Sequence, residues 1–353
     1  MNGDVAMQGT ASRSVPVWTG RDDGPGAEHL RWHHVVHRWD GTGGPGGCAF
    51  VGFRSDEGVR RNKGRQGAAN GPDALRGALA SMALPAPRSA FDAGDVEVTG
   101  GDLESGQHEL GRVVTGLIDA GQLPVVFGGG HEVAFGSYLG LVHAAQVAQG
   151  ARIGVLNLDA HFDLRADETP SSGTPFRQMA ERERVRGADF RYAVLGISQP
   201  SNTAGLFATA DELGVQYLTD DRCGVLDRPL VDDFLDDFLD TCDLVHLTID
   251  LDVLPASVAP GVSAPAAFGV PVEIIEHACS RVAASSKLAL CDVAELNPDL
   301  DIDSRTARTA ARLVHRVLTT PPSRAGAAPR SRARGGFERL LDDDGRTIHR
   351  GLE

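Results

Sequence analysis

The sequence predicts an α/β fold built on a mainly parallel sheet, and two observations predict it. The first is a series of short, nearly all-apolar runs at 48–53, 123–127, 152–158, 192–197, 244–251 and 287–293. Strands buried on both faces read as continuous apolar runs, whereas half-exposed strands alternate apolar with polar. The second is what lies between these runs. Segments with helical character fall at 72–82, 105–121, 132–148, 206–213, 229–240, 271–284 and 304–318. Strands alternating with helices make a doubly wound sheet.

Composition sets the outer limits. A chain of 353 residues, 41% of them hydrophobic, can bury one large α/β core. The formal charge of −14, from 48 acids against 34 bases, argues against nucleic acid and anionic membranes as partners. Acid richness also suits a hard-cation site, although surface carboxylates are its commoner cause. The five cysteines form no CxxC pair, which fits reduced thiols in a cytoplasmic protein. Neither a secretory signal nor a membrane-spanning apolar run is expected. Residues 1–17 are small and polar and are expected to be disordered. Residues 18–320 are expected to form one catalytic domain. Residues 321–353, with an Arg/Ala/Gly/Ser-rich stretch and three consecutive aspartates, are expected to be a mostly disordered tail.

Three motifs follow predicted strands. Gly128-Gly129-Gly130-His131-Glu132 comes directly after 123–127. It lacks the Walker lysine and the GxGxxG spacing, so the glycines do not read as a nucleotide cradle. They let the backbone approach closely and present His131 at a strand's carboxyl end, where open α/β sheets bind ligands. Alone, His131 is equally compatible with a structural role. Asp159-Ala160-His161-Phe162-Asp163 continues the strand 152–158, and strand alternation would point Asp159, His161 and Asp163 the same way. Asp250-Leu251-Asp252 closes the strand 244–251, with the same consequence for its two carboxylates. A pair of helix-capping aspartates is the alternative there. Such groups are costly in a core without a cation. Two imidazoles and four carboxylates exceed one tetrahedral zinc site, and two ions sharing carboxylates account for all six. Oxygen-rich coordination favours Mn²⁺ over Zn²⁺. A fourth element, Asp292-Val293-Ala294-Glu295, offers a carboxylate able to pair with a cationic amidine or guanidine, or else a surface acid. His33 and His37 stand four apart without an acidic partner and read as structural.

In this order the motifs resemble the arginase, agmatinase and formimidoylglutamase superfamily over roughly residues 18–318. The resemblance rests on GGGHE at 128–132, NLDAHFD at 157–163, TIDLDVLPASVAPGVSAPA at 248–266 and DVAELNP at 292–298. It implies a three-layer αβα sandwich around a central, mainly parallel sheet. It implies two Mn²⁺ ions per subunit, one held by His131, Asp159, Asp163 and Asp250 and the other by Asp159, His161, Asp250 and Asp252. It further implies that Asp163 passes a proton to the leaving amine, that Glu295 orients the substrate's C=N group, and that the protein is a homo-oligomer.

Substrate choice within the superfamily turns on other segments. Those at 18–23, 58–65, 171–178, 196–203 and 301–308 are most similar to the formimidoylglutamase branch. Arginase-like members carry asparagine two residues after the last aspartate of DxHxD, where this chain has Arg165. A guanidinium there suits a substrate with two carboxylates and repels the dication agmatine; a structural ion pair is the other reading of Arg165. Arg61, Asn62, Ser172 and Arg177 are further candidates to hold the substrate. Arginases and agmatinases place a histidine in the loop that reads SSGTPF at 171–176, where this chain offers Ser172 and Phe176, so that proton relay is missing. The resemblance thus implies hydrolysis of N-formimidoyl-L-glutamate to L-glutamate and formamide. Its rivals are a ureohydrolase acting on a guanidino acid and a non-catalytic relative serving as a binding subunit.

Overall fold

The computed structural model describes residues 16–323 and the backbone of two short strands, 338–341 and 347–350. Nine strands form one sheet: β1 (Val36–Arg38), β2 (Cys48–Arg54), β3 (Ala90–Glu97), β4 (Leu123–Phe127), β5 (Ile153–Leu158), β6 (Tyr192–Ile197), β7 (Gln216–Thr219), β8 (Leu244–Asp250) and β9 (Leu288–Ala294). Their order is β1-β3-β2-β4-β9-β8-β5-β6-β7, and every neighbouring pair is parallel. The alternation of side chains sorts the apolar residues onto two faces. Val125 and Phe127 of β4 enter one core with the helices Gly71–Ala80, Arg228–Thr241, Val272–Ala284 and Arg305–Thr319. Val126 enters the other, with Leu103–Asp119, Val133–Val142, Pro175–Arg186 and Ala204–Glu212. The expected three-layer αβα sandwich is therefore what the chain forms.

Several elements depart from the sequence reading. The edge strands β1 and β7 and the strand β3 were not expected. The acids of β3 break its apolar run, but Arg76 pairs with Asp92 at 2.8 Å and with Asp95 at 2.6 Å, so the strand can be buried. The helix Pro175–Arg186 was not expected either; proline opens it and Gly187 ends it in a left-handed conformation at φ 69°. The helix expected at 132–148 is two helices, Val133–Val142 and Ala145–Ala148. All five cysteines are free and buried. No helix among the described residues is long and apolar enough to cross a membrane.

Trp18 packs its ring, tilted by 32°, against Phe50 at 5.1 Å and donates to Asp92 at 2.8 Å, which ties the start of the described chain to the sheet. Residues 322–353 form a separate unit, in which Glu338–Leu341 and Thr347–Arg350 pair antiparallel. The disorder expected at 1–17 and 321–353 otherwise falls almost wholly outside the described residues.

Candidate metal centre

The strands β4, β9, β8 and β5 are consecutive in the middle of the sheet, and the turns after them carry the predicted residues. The turn after β4 is held by contact between backbones. A Cβ on Gly129 would stand 1.5 Å from the carbonyl oxygen of Ser55, so only glycine fits there. In the same turn the amide of Glu295 donates to the Gly129 carbonyl at 2.8 Å. Glu295 Oε1 in turn accepts from the His131 amide at 3.0 Å.

The DAHFD segment does not continue its strand, contrary to the expectation from alternation. β5 ends at Leu158, and the next residues turn. The His161 amide donates to Asp159 Oδ1 at 2.7 Å, and Asp163 sits in the left-handed region at φ 48°. Asn202 holds this turn from the β6 side. Its Oδ1 accepts from the Phe162 amide at 3.1 Å, and its Nδ2 donates to the Ala160 carbonyl at 2.9 Å. Likewise Asp252 lies beyond β8 in a 3₁₀ turn, where its amide donates to Asp250 Oδ1 at 2.9 Å. Local Asp-to-amide turns, and not strand alternation, bring these carboxylates together.

All six predicted ligand residues converge. His131 Nδ1 lies 3.1 Å from Asp159 Oδ2, 3.0 Å from Asp163 Oδ2 and 3.1 Å from Asp250 Oδ2. His161 Nδ1 lies 3.1 Å from Asp252 Oδ2 and 3.5 Å from Asp159 Oδ1. The ligand atoms form two groups that share Asp159: His131, Asp159, Asp163 and Asp250, then Asp159, His161 and Asp252. Asp250 belongs to the first group alone. One ring nitrogen cannot donate to three carboxylates, so the donor set fits a cation at each group. Electrostatics agree. Burial, then Asp252 and Asp159, pushes the Asp250 carboxyl far up, and burial likewise raises Asp163 and Asp252. Against burial, hydrogen bonds from His131 and His161 hold Asp159 low.

Glu295 is buried in the left-handed region at φ 67°, and its Oε2 has no hydrogen-bond partner among the described residues. Burial, then the neighbouring Glu132 and Asp252, raises its carboxyl. Glu132 is pushed up to about 7, mainly by burial, and accepts from Ser55 Oγ and the Gly58 amide.

The five substrate candidates divide. All five N–H donors of Arg61 are engaged, by Glu57, Glu104 and the carbonyls of Gly101 and Pro170. Arg177 pairs with Glu181 at 3.1 Å. Arg165 is exposed, and its guanidinium has no ion-pair partner among the described residues. Its amide donates to the Gly173 carbonyl at 3.0 Å, and a Cβ on Gly173 would crowd its Cδ at 2.8 Å and Asn62 Nδ2 at 3.2 Å. Asn62 Nδ2 donates to Ser172 Oγ at 3.1 Å, so Asn62, Ser172 and Arg165 lie together. Phe176 sets its edge against His131 at 5.3 Å and stacks on Tyr192 at 4.4 Å, giving the centre an aromatic wall. On the other side a cleft of about 570 Å³ opens beside His161, with Ser198, Gln199, Asp220 and Phe268 among its lining.

Sequence reasoning missed the supports. Asn157 Nδ2 donates to Asp159 Oδ2 at 2.9 Å and to Tyr192 Oη at 3.0 Å. Polar residues inside otherwise apolar strands were the available signal. Of the pair His33 and His37, His33 Nδ1 makes a structural contact with the Ala80 carbonyl at 2.9 Å and His37 is exposed on β1; His34 Nδ1 accepts from the Arg31 amide at 3.2 Å.

Known proteins place this geometry. The family model described as Arginase family matches residues 47–319. The formimidoylglutamase of Nocardia farcinica (strain IFM 10152) is 64% identical over 307 residues, which cover 87% of this chain and 97% of that protein. That of Rhodococcus opacus (strain B4) is 63% identical over 304 residues, covering 86% and 95%. The crystal structure of Trypanosoma cruzi formiminoglutamase with Mn²⁺ has a TM-score of 0.69 at 27% identity, covering 77% of this chain and 92% of that one. Bacillus subtilis formimidoylglutamase shares the fold with a TM-score of 0.73 at 24% identity, covering 84% and 95%. The chain belongs to the arginase family.

Proposed function

We propose that the protein is a binuclear manganese hydrolase that converts N-formimidoyl-L-glutamate and water to L-glutamate and formamide, a step of histidine degradation. The observation that carries this reading is the meeting of His131 Nδ1 with three carboxylates at 3.0–3.1 Å. Identity of 63–64% to proteins named formimidoylglutamase supports the substrate. Nitrogen and oxygen donors without a thiolate suit Mn²⁺, the ion named with the Trypanosoma cruzi structure. His131, Asp159, Asp163 and Asp250 would hold one ion, and Asp159, His161 and Asp252 the other. When bound, two such ions supply Lewis acidity and make water a strong nucleophile at neutral pH.

The chain's own residues do the rest. Glu295 Oε2, buried and unpartnered, accepts an N–H of the cationic formimidoyl group and turns its carbon toward the ion pair. Asp163 has a side chain 13% exposed, against 0% and 3% for Asp159 and Asp250, so it alone of the three reaches the solvent side. It takes a proton from the attacking water and returns it to the departing α-nitrogen of glutamate. Arg165 pairs with a substrate carboxylate, and the Ser172 hydroxyl, which accepts from Asn62, keeps its own proton free to donate to one. Five buried free thiols fit a reducing, cytoplasmic setting, and family resemblance supports a homo-oligomer.

The test is an assay of the purified protein with Mn²⁺. Glutamate and formamide should appear in equal amounts from N-formimidoyl-L-glutamate. Faster urea release from a guanidino acid would overturn the substrate, and no turnover of either would overturn the enzyme.

A further inference from the structure

A chain of buried polar groups runs from His131 Nε2 into the sheet, while Nδ1 faces the carboxylates. His131 Nε2 lies 2.9 Å from Thr248 Oγ1. Thr248 on β8 stands directly across from Asp292 on β9 in the strand register. Asp292 Oδ2 lies 2.6 Å from His246 Nε2, two residues before Thr248 on the same face of β8. Thr248, Asp292 and His246 are all fully buried. Against burial, His246 and then the Thr248 hydroxyl hold the Asp292 carboxyl low.

The donors and acceptors can be ordered in one way along this chain. Asp292, as a carboxylate, only accepts: His246 Nε2–H donates to its Oδ2, and its Oδ1, without a hydrogen-bond partner among the described residues, is left for the hydroxyl of Thr248 across the register. The Thr248 oxygen then accepts, and the donor is His131 Nε2–H. That fixes the proton of His131 on Nε2 and leaves a lone pair on Nδ1, the atom that faces Asp159, Asp163 and Asp250. A lone pair among three carboxylates is repulsive unless a cation lies between them. Thr248, backed by Asp292 and His246, holds the ring plane through its contact with Nε2. A buried histidine–carboxylate pair is costly, and apolar residues of similar volume would serve packing as well or better.

We propose that Thr248, Asp292 and His246 are positioning residues that fix the tautomer and ring plane of His131 and thereby set the affinity of one ion site but not of its neighbour. Among the described residues His161, which belongs to the other group, has no link to these three: its Nδ1 faces Asp159 and Asp252. The inference rests on the two-ion reading above, and its test separates the two.

The test is Mn²⁺ titration followed by calorimetry and by electron paramagnetic resonance, on the wild type, T248V and T248S, with thermal melts to verify folding. Valine keeps the shape of threonine and removes the hydroxyl. Loss of such an outer partner weakens metal binding by roughly 10–100-fold. Wild type should take up two ions and show a spin-coupled signal. T248V should bind one ion unchanged and the second at least 10-fold more weakly, with an uncoupled signal at limiting Mn²⁺. T248S should restore both, and D292N should resemble T248V. If wild type takes up two ions and T248V does so with the same constants and coupled signal, the relay is wrong and the metal reading stands. If both T248V sites weaken equally, selective positioning is wrong. If wild type takes up fewer than two ions, the metal reading falls and the relay falls with it.

Discussion

Arg61 and Arg165 look interchangeable in sequence, both being arginines in a chain with more acids than bases, but their partners differ. Arg61 spends all five donors on two carboxylates and two carbonyls, which binds the segment Glu57–Arg61 to the loop at Pro170. Arg165 is exposed beside Asn62 and Gly173, with no carboxylate paired to it among the described residues. The two substitutions should therefore separate. Arg165→Ala should raise KM for N-formimidoyl-L-glutamate roughly 10–100-fold, the loss of about 1.4–2.8 kcal/mol of charge-assisted binding. Its kcat should change little, because the contact is made equally before and during reaction. Arg61→Ala should lower the melting temperature first. Steady-state kinetics and melts on both variants decide it, and an unchanged KM in Arg165→Ala would remove Arg165 from the substrate's binding site. The residue types were legible here; the division of labour was not, because it depends on Glu104 and Gly101, which lie about 40 positions away in the chain.

Elements were legible where burial alone dictates composition. β4, β5, β6, β8 and β9 are apolar nearly throughout because helices cover both faces. The unexpected helix Pro175–Arg186 is half charged and buries only Pro175, Phe176, Met179, Ala180 and Glu183. What holds it is Tyr138 of Val133–Val142, whose hydroxyl donates to the buried Glu183, which also takes Arg186 at 2.6 Å. Burial and Glu183 push the Tyr138 phenol far up, so it stays a donor across the working pH range. This helix begins at the SSGTPF loop, where the Ser171 amide donates to Thr174 Oγ1 at 2.9 Å. Tyr138→Phe leaves a buried carboxylate oxygen short of a donor and should cost about 1–3 kcal/mol of stability. Denaturant melts would measure it. Activity at saturating substrate should survive, since the loop's own turn is untouched; stability equal to wild type would mean that Arg186 alone holds Glu183. The candidate metal-ligand motifs were legible by residue type and spacing, while their geometry was misread, since the turn at Asp163 is held by Asn202 on a different loop. The alternation of His246, Thr248 and Asp250 in β8 carried a further signal, as polar groups every second residue of a buried strand need partners.

At the scale of the whole molecule, the candidate ligands follow three strands in the middle of the sheet, so whatever they bind ties together the ends of β4, β8 and β5. Four carboxylates gather there in a chain whose formal charge is already −14. Without cations their repulsion works against the fold; with them it becomes a cross-link. Ions that bind only the folded state stabilise it by mass action, about 2.7 kcal/mol for one site at a hundredfold excess over its dissociation constant. For a chain of 353 residues that corresponds to a rise in melting temperature of roughly 4 °C. Mn²⁺ should therefore raise the melting temperature in a concentration-dependent way, and a chelator should reverse it. Asp159 belongs to both groups, so Asp159→Asn should abolish the whole response, whereas Asp252→Asn should leave the part that belongs to the His131 group. The chelated proteins should rank the other way. Asp250→Asn removes one of the crowded buried charges and should melt above chelated wild type while responding less to Mn²⁺. Differential scanning calorimetry of wild type and the three variants, with and without chelator, reads all of these shifts. A melting temperature in wild type indifferent to both Mn²⁺ and chelator would show that the carboxylates are balanced by something other than bound ions.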